Sequence, residues 1–207
     1  MSMINVMRRL IILITIFFIS VTTSAEYALV ADYVIDGKSD NPLKNRVILV
    51  SGKKIVSIID VDAIPEKYTV INLPGTVLMP GMVNAHEHPL LYQSDYQNGH
   101  LQASSAFKAL MGLKALQRLL ESGWTSIRVM GDGDVYYANQ DIRKAIDQGM
   151  FLGPRLTGAA HYISITGGGG DINYLSPEQA VIADGLIADG PHEIRKAIRQ
   201  EIKFGSD

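Results

Sequence analysis

Residues 78–88 read Leu78-Met79-Pro80-Gly81-Met82-Val83-Asn84-Ala85-His86-Glu87-His88. They close an apolar run that begins at Val77 and is interrupted at Pro80-Gly81. A near-continuous apolar run of this length is how a parallel strand covered on both faces is written. Side chains alternate along a strand, so His86 and His88 fall on one side and Glu87 on the other. Two imidazoles on one side of a strand's carboxyl end can share a divalent ion. Short motifs also occur by chance, and the same residues serve equally as two polar groups in the loop that follows the strand.

Downstream, strand and helix alternate. Ser104 to Glu121 carries Phe107, Leu110, Met111, Leu113, Leu116, Leu119 and Leu120 at helical spacing, with Gly123 placed to end the helix. That stripe is expected to be core. A strand is expected over Trp124 to Met130, a helix over Gln140 to Gln148, and a third strand within Arg155 to Ile165. Pro191 opens a last helix that runs to Phe204. This succession is the βα repeat of a parallel sheet, open or closed.

Upstream the texture differs. Tyr27 to Ile35, Arg46 to Val50, Lys54 to Ile59 and Tyr68 to Leu73 read as short strands without helices between them. They imply a small antiparallel sheet, divided from the rest at Pro74-Gly75. Ahead of it, Arg8 and Arg9 precede an uncharged run from Leu10 to Val21, and small residues lead to Ala25. That is the pattern of a secretory signal peptide, too short for a membrane span of about 20 residues. The chain is thus expected to divide into a signal segment over 1–25, a small β domain over 26–75 and an α/β part over 76–207. The mature protein is expected to be exported, periplasmic or secreted, and to have no membrane span.

The stretch 78–88 resembles the signature of the amidohydrolase superfamily, a strand of the form P-G-apolar-apolar-(D/N)-x-H-x-H. A small β domain ahead of that strand is also the family arrangement. Ala145-Ile146-Asp147-Gln148-Gly149, Gly153-Pro154-Arg155-Leu156 and Ile163-Ser164-Ile165-Thr166-Gly167-Gly168 are similar to its imidazolonepropionase- and prolidase-like branch. The resemblance implies a metal-dependent hydrolase built on a (β/α)8 TIM-like barrel preceded by a small β-sandwich domain. This chain would supply about three βα units of the barrel. One or two divalent ions would sit at the barrel's carboxyl end, with His86 and His88 as metal ligands. A carboxylated lysine, two further histidines and a catalytic aspartate would come from later strands, so no catalytic residue is expected in this segment. The chain is expected to be an amino-terminal fragment, inactive alone. The reaction implied is attack of a metal-activated hydroxide on an amide, cyclic amide or dipeptide-like substrate. Zinc is the expected metal because imidazole suits it. The rival expectation is a non-catalytic, truncated remnant with at most a binding role.

Composition narrows the partners. Net charge is −2 with 19% charged residues and no long basic run, which points away from nucleic acid. There is no cysteine, so thiolate ligands are unavailable. Gly167 to Gly170 lacks a following Gly-Lys-Ser/Thr and is not a phosphate loop; a mobile loop is expected there. Relatives often carry histidine where Gly169 stands. His161, at the end of the third strand, is a candidate substrate-binding residue or simply a hydrogen-bonded rim histidine. Arg128 stands in a segment that reads V-R-D in relatives, with Val129 in place of the aspartate, and an ion pair is expected for it. His100 and His192 are expected at the surface.

Overall fold

In a computed structural model, residues 25–91 and 95–207 are described, and the expected signal segment up to Ser24 lies outside them. The chain divides into two compact units, Met1–Pro80 and Gly81–Asp207.

The first unit is a four-stranded sheet in the order β3-β2-β1-β4, formed by β1 (Glu26–Val34), β2 (Arg46–Ser51), β3 (Lys54–Asp60) and β4 (Thr69–Leu78). β1, β2 and β3 are antiparallel neighbours, whereas β4 lies parallel to β1. The sheet is therefore mixed, not antiparallel as expected. Its core lies on one face, where Ala28, Val47 and Leu49 are buried and Val30, Ile59, Val61, Ile64 and Tyr68 pack against them. Ala28 pairs with Leu49 and Val30 with Val47, so the period of two puts all four on the same side. The expected break at Pro74-Gly75 falls inside β4. The pairing with β1 slips between Ala31 and Tyr33, and this irregularity absorbs Pro74-Gly75. Proline is tolerated because β4 is an edge strand and has no second neighbour asking for its N–H.

The second unit holds a parallel sheet in the order β5-β6-β7, built from β5 (Met82–Glu87), β6 (Trp124–Met130) and β7 (Arg155–Ala159). Between β5 and β6 the chain forms α1 (Tyr96–Gln102) and α2 (Ser105–Glu121); between β6 and β7 it forms α3 (Ala138–Asp147). Ser104 caps α2, its hydroxyl accepting from Phe107 N at 3.2 Å. Leu116 of α2 and Ile127 of β6 are fully buried in a cluster with Leu90, Ala138, Ile142 and Leu156. Each leucine or isoleucine of this cluster is worth about 1.5–3 kcal/mol when withdrawn from water. Leu113 and Leu119 join the cluster, but Phe107 and Leu110 of the expected stripe are exposed. They lie on the turns of α2 away from β6, while Gly112 and Leu116 face inward.

The third strand lies within the expected Arg155 to Ile165 but closes at Ala159, two residues before His161, which was expected at its end. Ala160 and His161 give their N–H groups to the Glu201 carboxylate, at 3.0 and 3.1 Å, so no strand partner takes them. After this break, β8 (Ile163–Ser164) pairs in parallel with β9 (Leu186–Ile187), and α4 (Pro191–Lys203) follows. Glu201 belongs to α4 and pins that helix to the end of β7.

Candidate metal centre

His86 and His88 stand at and just beyond the carboxyl end of β5. Their rings meet edge to face, with centroids 5.0 Å apart and the two Nε2 atoms 3.0 Å apart. The strand is shaped by its own side chains: Asn84 Oδ1 accepts from His86 N at 3.0 Å, and Asn84 Nδ2 donates to Glu87 Oε2 at 2.6 Å. Glu87 Oε1 accepts from His88 N at 3.1 Å, which commits that carboxylate to the local backbone.

His88 Nδ1 lies 2.5 Å from the carbonyl oxygen of Gly131, at the end of β6. A carbonyl can only accept, so Nδ1 carries a proton, and in the tautomer this selects Nε2 is the nitrogen with the lone pair. This is how metal-ligating histidines are normally held. Two nitrogens on one tetrahedral zinc, at about 2.0–2.1 Å each, stand about 3.3 Å apart, and the Nε2 pair is already near that separation. The residues present therefore fit two ligand positions of a divalent ion. Among the described residues no group of three or more His, Asp, Glu or Cys side chains gathers as a metal site.

Around this pair lies a buried polar layer. Gly131, Asp132, Gly133 and Asp134 follow β6 and all are buried. Lys108 Nζ reaches into the layer, donating to the Gly133 carbonyl at 2.9 Å and to His100 Nδ1 at 3.0 Å, with Asp134 Oδ1 at 3.8 Å. Burial pulls the Lys108 ammonium below its ordinary value, against the raising influence of Asp134, Asp184 and Asp132. His100 is thus an interior partner of Lys108 and not the surface residue expected, because Lys108 reaches it from α2, the next helix. Burial pushes the Asp132 carboxyl well above the usual carboxylate range, partly countered by N–H donation from Leu90 and Gly133.

His161 is 3% exposed and follows β7 by two positions. Its Nδ1 is 2.8 Å from Glu201 Oε1, its ring lies edge-on to Tyr137 at 4.7 Å, and its Nε2 is buried with no hydrogen-bond partner among the described residues. Burial raises the Glu201 carboxyl, but hydrogen bonds from His161, Ser206 and the His161 N–H outweigh it and hold the group at about 2. The next residue, Tyr162, brings its ring to 6.2 Å from that of His88, so the ends of β5, β6 and β7 converge here.

The other sequence candidates separate. Arg128 is exposed and forms no ion pair among the described residues, and His192 is exposed. The glycine-rich loop is tied down instead of hanging free. Thr166 N donates to Asp189 at 2.7 Å, Gly167 N to Asp171 at 2.8 Å, Gly170 N to Ser164 Oγ at 3.1 Å, and Asn173 Nδ2 to Gly168 O at 3.0 Å. Short polar side chains on either side of the loop take up its backbone groups, which composition alone did not disclose. A Cβ at Gly169 would meet nothing within 4 Å, so the position has room for a larger side chain.

Residues 77–207 match the family model described as Amidohydrolase family. The chain belongs to the amidohydrolase family. Among curated relatives, ochratoxinase from Aspergillus niger is 29% identical over 196 residues, covering 85% of this chain and 39% of that protein. Among solved structures, a Xaa-Pro dipeptidase with bound methionine in the active site superposes with a TM-score of 0.75 at 26% identity, covering 88% of this chain and 46% of that one. A. niger ochratoxinase superposes with a TM-score of 0.69 at 26% identity, covering 88% and 45%. The chain spans less than half the length of the amidohydrolases it matches. Within the amidohydrolase frame, the buried Gly131-Asp132-Gly133-Asp134 turn is what motif reading missed. Two Gly-Asp pairs directly after a strand were the available signal, since glycine and aspartate together mark a turn of demanding geometry.

Proposed function

We propose that this chain forms part of an exported, metal-dependent hydrolase that cleaves C–N bonds in small amide, cyclic-amide or dipeptide-like substrates. The observation that carries the reading is the His86–His88 pair, with Nε2 atoms 3.0 Å apart and the His88 Nδ1 committed to the Gly131 carbonyl. His86 and His88 would hold a divalent ion, zinc by preference for imidazole, in a site of one or two ions. When bound, the ion supplies Lewis acidity, polarising a carbonyl and acidifying water. The chain's own contribution is to bring two ring nitrogens together at one strand end and to fix the protonation of one through Gly131. His161 is proposed as a substrate contact through Nε2, the ring nitrogen that Glu201 leaves unused.

The parallel sheet is read as the opening portion of a (β/α)8 barrel, and the four-stranded sheet as part of a β-sandwich. The match over residues 77–207 and the superposition on a Xaa-Pro dipeptidase support the barrel reading; the sandwich reading rests on the resemblance alone. Export rests on Arg8-Arg9, the run Leu10 to Val21 and the small residues to Ala25; no helix among the described residues is long and apolar enough to cross a membrane. The rival reading, a non-catalytic remnant, draws on the presence of only two clustered donors among the described residues, since catalytic zinc normally has three protein ligands.

The test is made on the protein purified from its host. Its amino terminus should lie near Glu26, and cleavage of N-acyl amino acids or dipeptides should vanish on chelation and return with zinc. His86→Ala and His88→Ala should each lower kcat/KM by at least about 100-fold while leaving the melting temperature of the apoprotein nearly unchanged. The 207-residue chain alone should bind zinc weakly and turn over nothing. Full activity in His86→Ala would sink the assignment of the ligands, and activity indifferent to chelation would sink the metal.

A further inference from the structure

The turn after β6 carries a carboxylate that none of the above uses. Asp132 is fully buried. Its Oδ1 accepts from Leu90 N at 3.0 Å and from Gly133 N at 3.2 Å, while Oδ2 is buried and has no hydrogen-bond partner among the described residues. Leu90 lies two residues after His88, so one oxygen joins the chain leaving His88 to the turn whose Gly131 carbonyl accepts from His88 Nδ1. The backbone completes the bracket, because Asp132 N donates to Ala160 O at 3.0 Å. Gly131 itself has no freedom to drift. Its φ is +97°, and a Cβ there would sit 2.6 Å from Tyr162 N and 2.9 Å from the His161 carbonyl carbon.

We infer that Asp132 is a positioning residue for His88. By accepting the N–H groups of Leu90 and Gly133, it holds the Gly131 carbonyl against His88 Nδ1 and so keeps His88 in the tautomer whose Nε2 is bare. The inference rests on the proposed metal role of His88 only for its consequence, which is metal affinity; the tautomer is a property of the chain itself. A carboxylate that served folding alone would be indifferent to which His88 nitrogen carries the proton. The acceptor oxygen matters here and the charge does not, so an amide at this position should serve.

The test uses the full protein from its host in three versions: wild type, Asp132→Asn and Asp132→Ala. Nitrogen-15 imidazole spectra at one fixed pH report which His88 nitrogen is protonated, and a zinc titration reports affinity. Wild type and Asp132→Asn should show a protonated Nδ1 and a bare Nε2, with zinc affinities within a few-fold of each other. Asp132→Ala should populate the Nε2-protonated tautomer and bind zinc about 10- to 100-fold more weakly. A folded Asp132→Ala with the wild-type tautomer and affinity overturns the proposal, as does an Asp132→Asn that fails as the alanine does. If Asp132→Ala does not fold, an amide-to-ester replacement at Leu90 removes one N–H and no side chain. It should shift the His88 tautomer in the same direction, and an unshifted tautomer overturns the proposal. Failure of the metal reading looks different: wild type would then bind no zinc through His86 and His88, while the His88 tautomer still answered to Asp132.

Discussion

Two histidines a few residues from strand ends have different fates, and their partners decide which. His88 donates through Nδ1 to a backbone carbonyl and turns Nε2 toward His86 Nε2, 3.0 Å away. His161 gives its Nδ1 to Glu201, a carboxylate that also takes the N–H of Ala160 and His161 and the hydroxyl of Ser206. Glu201 is held at about 2 against an ordinary 4.5, so its contribution to stability is fully present above pH 4.5 and is lost as pH falls through about 2. At about 1.4 kcal/mol per pH unit, that contribution is about 3 kcal/mol. Glu201→Ala should therefore lower the unfolding free energy by about 3 kcal/mol at pH 7, and the gap to wild type should narrow as pH falls from 4.5 to 2. Urea melts at both ends of that window measure it; a gap independent of pH would contradict the assignment. At this scale the sequence was informative where spacing carries chemistry. His86 and His88 were legible because a strand's period of two fixes their side. The Glu201 partner of His161 was not legible, because it lies 40 positions away on a helix whose packing no local pattern records.

The elements were legible wherever periodicity was strong and unbroken. β6 was expected over Trp124 to Met130 and is found there, and α2 begins one residue after the serine that caps it. Boundaries set by long-range partners were not. β4 runs through Pro74-Gly75 because an edge strand can tolerate proline, and α1 was missed because seven residues give too little periodicity to register. The pairing of β6 with β7 depends on a close approach that also cannot be read locally. Gly158 stands opposite Val129 with φ +108°, and a Cβ there would fall 2.0 Å from the Val129 carbonyl oxygen. Gly149 has φ +72° but open space around it. Alanine at Gly149 should cost only the backbone strain, about 1 kcal/mol, whereas alanine at Gly158 adds a clash and should cost about 3 kcal/mol or more. Denaturant midpoints of the two variants compare them directly; equal losses would show that β6 and β7 do not approach as described.

As a whole, the chain is a member of the amidohydrolase family that spans less than half the length of the relatives it matches. Its apolar surface is consistent with further covering: Ile194, Ile198 and Ile202 repeat every four residues along α4 and all are exposed. Such a stripe asks for a partner element. At the site, two imidazoles stand together, and no group of three or more potential ligands gathers among the described residues. The two Nε2 atoms of His86 and His88 are proposed to hold a metal ion together. Crystals of the protein soaked in zinc, measured on either side of the zinc absorption edge, test it most directly. An anomalous peak is expected about 2.1 Å from both Nε2 atoms, absent in crystals of His86→Ala or His88→Ala. Zinc bound elsewhere on the molecule, or a peak at the same place in the His88→Ala protein, would contradict it.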